Sequence, residues 1–370
     1  MKFSCEKLFL QSAINTASRV TATKSSIPAL EGILLQAGAQ LTISGYNMQT
    51  GIRTTLDAAI TEEGALVLPS RLFGEIIRKM PDDVVTFSSD KNLNVRLTCG
   101  DADYNIQALS ADDYPDMPEV EDQYSIRIQQ KILRSMIAET GFAVSTDEVR
   151  PIHTGSLFEI SEEGLTVVSV DGFRLALRRE PLEAVNGGSF SFVAPGAALN
   201  EVEKICDDTG EEAVITLGQR HLLFEMGSNQ LICRRLEGEF LDYKAAIPRS
   251  NPIVITADTK NMIQSIDRVS VVISEKQKSP VQCLFTDGKV TMSARTAAGE
   301  AKDVCPITGD GKELRIGFNN RYLMDALKNA PADAVRIEMN TGISPCVILP
   351  AEGEERFLYM VLPVRLKNNG

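Results

Sequence analysis

The sequence predicts an α+β protein assembled from one unit repeated three times, and three observations carry this. A pattern of short amphipathic helix, acidic exit and three strand-like runs occurs three times in the same order. The strands come in hairpin-like runs instead of alternating singly with helices, which points to antiparallel sheets with two helices on one face. Polar, Pro-containing stretches at 115–123 and 248–252 separate the copies.

The clearest copy spans 199–248. Its helix, 199–206, places Leu199, Val202 and Ile205/Cys206 on one face of a 3.6-residue period, and Asp207-Asp208 ends it. Alternating strands follow at 213–217, 221–226 and 230–235, and the unit closes on Phe240-Leu-Asp-Tyr243 and Ile247-Pro248. The same order reads at 71–118: helix 72–80, exit 81–83, strands 84–87, 93–97 and 104–106, then Asp113-Tyr114-Pro115. It reads again at 321–363: helix 322–328, exit 331–333, strands 335–339, 346–349 and 357–362. Each copy is preceded by a second helix-and-strand pattern. The helices are 5–20, 129–142 and 259–270, followed by strands at 34–35, 41–43 and 52–56, at 157–160 and 165–170, and at 281–285 and 290–292. Each domain is therefore helix, strands, helix, strands, and the expected boundaries are 1–122, 123–250 and 251–370. A period this long is that of duplicated whole domains and not of a common solenoid.

With 370 residues, 43% hydrophobic and 24% charged, the chain can bury two or three cores. No apolar run reaches the roughly 18 residues of a membrane helix, and the start, Met1-Lys2-Phe3, leads into an ordinary amphipathic pattern, so a cytoplasmic protein is expected. The cysteines (Cys5, Cys99, Cys206, Cys233, Cys283, Cys305, Cys346) stand one at a time without a Cys-x-x-Cys pair, so buried thiols are expected and neither disulfides nor zinc.

Catalytic signals are weak. His153 and His221 lie far apart, each in or beside a strand-like run, and read as structural histidines. Gly309-Asp-Gly-Lys312 lacks the spacing of a phosphate loop and reads as a polar turn, as does Gly187-Gly-Ser189. The acidic pairs Asp82-Asp83, Asp112-Asp113 and Asp207-Asp208 sit at loops or helix exits, where solvated charge is the default. No convergent acid, base or nucleophile marks a hydrolase or transferase, and no cofactor or metal is expected.

The net charge of -12 argues against nucleic acid only if charge is spread evenly. On the expected helices Lys7, Arg19, Arg71, Arg78, Lys79, Lys131, Arg134, Lys204, Lys260, Arg268, Arg321 and Lys328 outnumber the acids Glu6, Glu75, Glu139, Glu201, Glu203, Asp267 and Asp325. Counting the exit acids Asp82-Asp83 and Asp207-Asp208 leaves a small positive excess, so a phosphate backbone could be held on the helical side alone.

Three segments are specific: Ser169-Val-Asp-Gly-Phe-Arg-Leu-Ala-Leu177, Phe240-Leu-Asp-Tyr-Lys-Ala-Ala-Ile-Pro248 and Tyr359-Met-Val-Leu-Pro-Val-Arg-Leu366. They closely resemble the signature segments of the bacterial sliding clamps, the β subunits of DNA polymerase III, and the resemblance runs over essentially the whole chain. It implies a head-to-tail homodimer whose six domains close a ring around duplex DNA, helices inward, and it implies no chemistry. The partners it implies are a second copy of the chain, duplex DNA, the replicative polymerase catalytic subunit, the clamp loader and other replication and repair proteins bearing a clamp-binding motif. A scaffold that binds only proteins is the alternative.

By resemblance, the DNA contacts fall on Lys24 and Arg150, and the dimer interface on Tyr104 and Ile106 of one copy against Val272 and Ile273 of the other. The partner-peptide pocket falls on Val170, Gly172, Phe173, Arg174, Leu175, Leu241, Asn319, Tyr322, Ile343, Pro345, Met360, Val361, Leu362, Pro363, Val364 and Arg365. Leu175, Leu241, Val361 and Leu362 are expected to form its apolar floor, with Arg174, Asn319 and Arg365 as its polar rim. The chain departs from the family pattern at Pro151 and Ile152 after Arg150, and at His153, Phe173, Leu241 and Ala245 near the pocket.

Overall fold

The computed structural model describes residues 1–121, 124–182, 185–186, 188–274 and 279–366, and divides into two compact units. All paired strands are antiparallel. Each expected helix is present, and each is fed directly by a strand: Lys2–Glu6 runs into helix Lys7–Ala17, Gly64–Pro69 into Ser70–Lys79 and Tyr124–Gln129 into Gln130–Gly141. Likewise Phe190–Pro195 runs into Gly196–Ile205, Ile253–Asp258 into Thr259–Ser270, and Gly299–Phe318 into Asn320–Lys328. These feeding strands are additions to the pattern expected from sequence. Two of the helices carry side-chain caps that satisfy an orphan N–H: Asp258 accepts from Asn261 N–H at 2.7 Å, and Asn319 from Arg321 N–H at 3.0 Å.

The first unit is drawn from residues 1–134 and 197–235 with the short strand Val185–Asn186. It holds a five-stranded sheet, in the order Ala59–Glu62, Lys2–Glu6, Val84–Ser89, Asn94–Cys99, Ala102–Gln107. It also holds a ten-stranded sheet in which Thr50–Leu56 of the first repeat pairs with Asn229–Arg234 of the second. Helices Lys7–Ala17 and Ser70–Lys79 set Leu10, Ala13, Ile14, Phe73, Ile76 and Ile77 against Phe3, Phe87, Leu35 and Leu97 in one core, where the rings of Phe3 and Phe87 stack 4.6 Å apart. Asp82 stays solvent-exposed and also pairs at 2.7 Å with Lys7, which is buried.

The second unit takes residues 135–182, 189–196 and the chain from Leu236 on. Its ten-stranded sheet joins repeats two and three where Arg174–Glu180 pairs with Phe357–Val361. The short hairpin expected at 281–292 is instead a long one, Val281–Thr296 against Gly299–Phe318. The register slips between Phe285 and Lys289, opposite the stretch that holds Gly309-Asp-Gly-Lys312. Gly309, Lys312 and Glu313 adopt left-handed backbone there, so this stretch is an irregularity inside a strand and not a turn between strands. Of Gly187-Gly-Ser189, Gly187 lies outside the described residues and Gly188 is left-handed. All seven cysteines are buried. Among the described residues no helix is long and apolar enough to cross a membrane.

The junction in the second unit buries charge. Arg178 sits 2.7 Å from Glu139 and also contacts Glu180, which in turn pairs with Arg356 at 3.4 Å; the side chains of Arg178, Glu139 and Glu180 are all nearly buried. Burial raises the Glu139 carboxyl above its ordinary range despite Arg178. Replacing Arg178 with Met would leave the Glu139 carboxylate buried without its cation and Glu180 with Arg356 alone, and should cost roughly 3–5 kcal/mol in chemical denaturation. A loss below 1 kcal/mol would show that the cluster is solvated.

Candidate functional site

The resemblance-derived pocket residues all lie in the second unit, around one turn and the end of one strand. The turn 171–173 links Gly164–Val170 to Arg174–Glu180. Asp171 shapes it: one carboxylate oxygen accepts the N–H groups of Phe173 and Arg174 at 3.0 and 3.1 Å, and Gly172 takes the left-handed conformation (φ 87°) that a side chain would resist. Pairing continues one residue past the terminal strand, since Leu362 N–H donates to Phe173 O at 2.9 Å. Val364 N–H then donates to Gly317 O at 2.8 Å.

The strand Phe357–Val361 looks apolar throughout because both of its faces are covered. Phe357, Tyr359 and Val361 point into the large core of the second unit with Ile337, Ile348 and Phe318. Leu358, Met360 and Leu362 point the other way, into a smaller cluster with Val168, Val170, Leu175, Leu177 and Tyr243. Val361, expected on the pocket floor, is therefore on the wrong face of the strand and fully buried, for the period-two reason that separates it from Leu362. Leu175 is buried in the smaller cluster, and Leu362 is half-buried at its edge. Phe173, Leu241, Ile343 and Val364 are exposed apolar side chains.

Arg174 is not a rim group either. Its side chain is 9% exposed, pairs with Asp171 at 2.8 Å and Asp325 at 2.6 Å, and lies with its guanidinium carbon 4.6 Å from the Tyr322 ring centroid. It is a strut, and Tyr322 in turn stacks on Phe173 with ring centroids 5.9 Å apart. Asn319 spends its side-chain oxygen on the helix cap, Pro345 and Pro363 are half-buried, and Arg365 is exposed.

Residues outside the expected set complete the cluster: Val168, Leu177, Tyr243 and Leu358, with Leu157, Phe240 and Ile247 partly buried against it. Two-residue alternation through 165–177 and the quoted motifs would have found most of them. Tyr243 donates to Glu159 at 2.5 Å, and burial together with that bond pushes its phenol well above the ordinary range. Burial raises Glu159, but hydrogen bonds from Tyr243 and Lys244 outweigh it and leave the carboxyl below its usual value. His153 meets Phe240 edge to face at 5.5 Å.

Lys24 and Arg150 are both exposed, Arg150 directly ahead of the short 3-10 helix Pro151–Thr154. The helical cations divide. Lys7, Arg19, Arg71, Arg134, Lys204, Arg268 and Arg321 each have an acid within 4.0 Å. Arg78, Lys79, Lys131, Lys260 and Lys328 are exposed without an acidic partner among the described residues. Tyr104 and Ile106 lie half-buried on Ala102–Gln107, an edge strand of the five-stranded sheet, and Val272 and Ile273 follow helix Thr259–Ser270 near Val281–Thr296, an edge strand of the second unit's sheet. The Val272 carbonyl accepts from Thr296 Oγ1 at 2.8 Å.

Three domain families match the chain in order: the N-terminal domain of the DNA polymerase III beta subunit at residues 1–118, its central domain at 127–242 and its C-terminal domain at 244–365. The chain belongs to the DNA polymerase III beta subunit family. Its relatives include the beta sliding clamp of Halalkalibacterium halodurans, 32% identical over 97% of each chain. Similar solved structures include a putative DNA polymerase III beta subunit from Eubacterium rectale (31% identity, TM-score 0.93) and the DNA polymerase sliding clamp of Bacillus subtilis (29%, 0.94). Each covers 99% of this chain and is itself covered in full. The cluster around Tyr243 and Leu362 thus draws on the matched central and C-terminal domains, with Tyr243 itself between the two matched segments.

Burial, with Arg150 second, holds His153 below the ordinary 6.5. A depressed histidine contributes stability above its unfolded value that is lost as pH falls through the folded one. His153→Phe should therefore flatten the decline of melting temperature below pH 6.5, and parallel declines in the two proteins would exclude His153 as a source of it.

Proposed function

We propose that this chain is a non-catalytic DNA sliding clamp of the cytoplasm. It encircles duplex DNA and tethers the replicative polymerase catalytic subunit, the clamp loader and other motif-bearing replication and repair proteins. The match of three clamp domain families, in order and over nearly the whole chain, carries the reading. The domains are 1–122, 123–250 and 251–370. Two copies close head to tail, the edge strand Ala102–Gln107 of one against Val281–Thr296 of the other, with Tyr104 and Ile106 near Val272 and Ile273. Unpaired strand edges invite association, and a ring satisfies both. Phosphates are contacted by Lys24, Arg150 and the unpaired helical cations, long side chains that hold a backbone without reading bases.

Partner peptides dock on Leu362, Met360 and the exposed rings and aliphatics around them, Phe173, Leu241 and Val364. The half-buried apolar edge of the cluster beside exposed apolar side chains supports this, since such a patch is the usual core of a peptide site.

Loaded on nicked circular plasmid, the protein should be retained and then released on linearisation. A protein-only scaffold would show no retention on the circle. Ile273→Asp would bury an unpaired charge at the proposed interface and should yield monomers in sedimentation; a wild-type protein already monomeric at micromolar concentration would undo the ring.

Leu362→Asp should cost on the order of 2–4 kcal/mol of affinity for a leucine-anchored partner peptide while the thermal melt stays cooperative. Loss of a cooperative melt would instead mark Leu362 as part of the core.

A further inference from the structure

The junction between repeats in the first unit, where Thr50–Leu56 pairs with Asn229–Arg234, holds a counterpart of the groove whose chemistry has been inverted. Residues 41–56 correspond to 165–180 without a gap. Ile43 pairs with Leu35 as Val167 pairs with Phe158, and Ile52 faces Leu231 as Ala176 faces Tyr359. Asn47 accepts the N–H groups of Gln49 and Thr50 as Asp171 accepts those of Phe173 and Arg174. Arg234 N–H donates to Gln49 O at 3.2 Å as Leu362 N–H donates to Phe173 O. The positions of Leu157, Val168, Leu177 and Tyr243 are therefore those of Leu34, Ser44, Arg53 and Tyr114.

A cavity of about 550 Å³ opens there, lined by Leu34, Gln36, Ser44, Arg53, Asp116 and Glu119 beside Tyr114. Arg53 is half-buried and has no acid within 4 Å among the described residues, although two carboxylates line the same cavity. Ser44 is 1% exposed and its hydroxyl has no hydrogen-bond partner. Strand alternation turns Ser44 to the cavity side, since Leu41 and Ile43 face the helices while Tyr46 packs with Tyr114. A half-buried guanidinium with no acid in contact calls for an anionic acceptor, and the unsatisfied Ser44 hydroxyl lies sealed behind the same wall. The apolar part of the counterpart is closed as well. Gly51 stands where the groove has Leu175, and Met117 occupies the vacated space, its sulfur 2.5 Å from where a Cβ on Gly51 would sit.

We propose that this cavity is a second peptide site, taking an Asp or Glu side chain as anchor against Arg53, with a flanking Lys or Arg of the peptide meeting the exposed Asp116 and Glu119. The proposal rests on reading the Leu362 groove as a peptide site, because the correspondence of the two junctions supplies the class of occupant.

The test uses full-length protein and three fluorescein-labelled nonapeptides with a Gly-Ser background and a Lys two residues either side of a central Glu, Gln or Leu. In anisotropy titrations the Glu peptide should bind at least tenfold more tightly than the Gln peptide. Arg53→Leu and Arg53→Gln should each remove that difference, the second without placing an apolar side chain in an open polar cavity, and thermal melts of both variants verify their folding. Excess unlabelled leucine-anchored peptide should not displace the Glu peptide. Equal binding of the Glu and Gln peptides, or a preference that survives both Arg53 variants, would overturn the second site. Failure of the leucine-anchored peptide to bind at all would instead count against the groove reading, with the Arg53 result standing by itself.

Discussion

The pairing of strands across repeats governs this molecule. Every backbone N–H and C=O at a sheet edge needs a partner, and at both internal junctions that partner comes from the next repeat: Thr50–Leu56 with Asn229–Arg234, and Arg174–Glu180 with Phe357–Val361. A repeat is thus completed by its neighbour. The surface beside the second junction exists only because two chain segments far apart in sequence, 168–177 and 358–362, are made adjacent by those backbone bonds. The charged cluster of Arg178, Glu139, Glu180 and Arg356 gathers at this same junction, so polar specificity and apolar packing act on one seam.

The paired strands of the two junctions share one register, so the differences on those strands are differences of side chain. At the second, Leu175, Leu177 and Val168 leave a continuous apolar surface. At the first, Gly51, Arg53 and Ser44 stand in their places, and the Met117 side chain fills what the glycine vacates. Three changes on a shared frame are enough to replace a continuous apolar surface with a cavity lined by polar and charged side chains.

Much of this was legible in the sequence. Helix Thr259–Ser270 and the meanders after each second helix were readable from period 3.6 and period 2, and the threefold repeat announced the domain pattern. The strands that feed each helix were not, because they run into the helix with no turn residue to mark a boundary. The long hairpin was hidden by Gly309 and Gly311, which read as a turn but sit in a strand irregularity. In the site, composition placed Arg174 at a rim because arginine is ordinarily solvent-facing; its partner Asp325 is 151 residues away and no local pattern reports it. Val361 was misplaced for a simpler reason: a strand covered on both faces shows no alternation of polarity from which to tell them apart.

The buried tether from Arg174 to Asp171 and Asp325 has a kinetic meaning. It fixes the turn at 171–173 to helix Asn320–Lys328, so the two sides of the surface that carries Phe173 and Tyr322 are held together before anything arrives. A surface already in place demands little reorganisation on its own side, and the entropy lost on association falls mainly on the incoming segment. For partner segments docking there as proposed, competition is decided by how readily each of them becomes ordered, and the order in which they succeed one another is written in their sequences more than in this one.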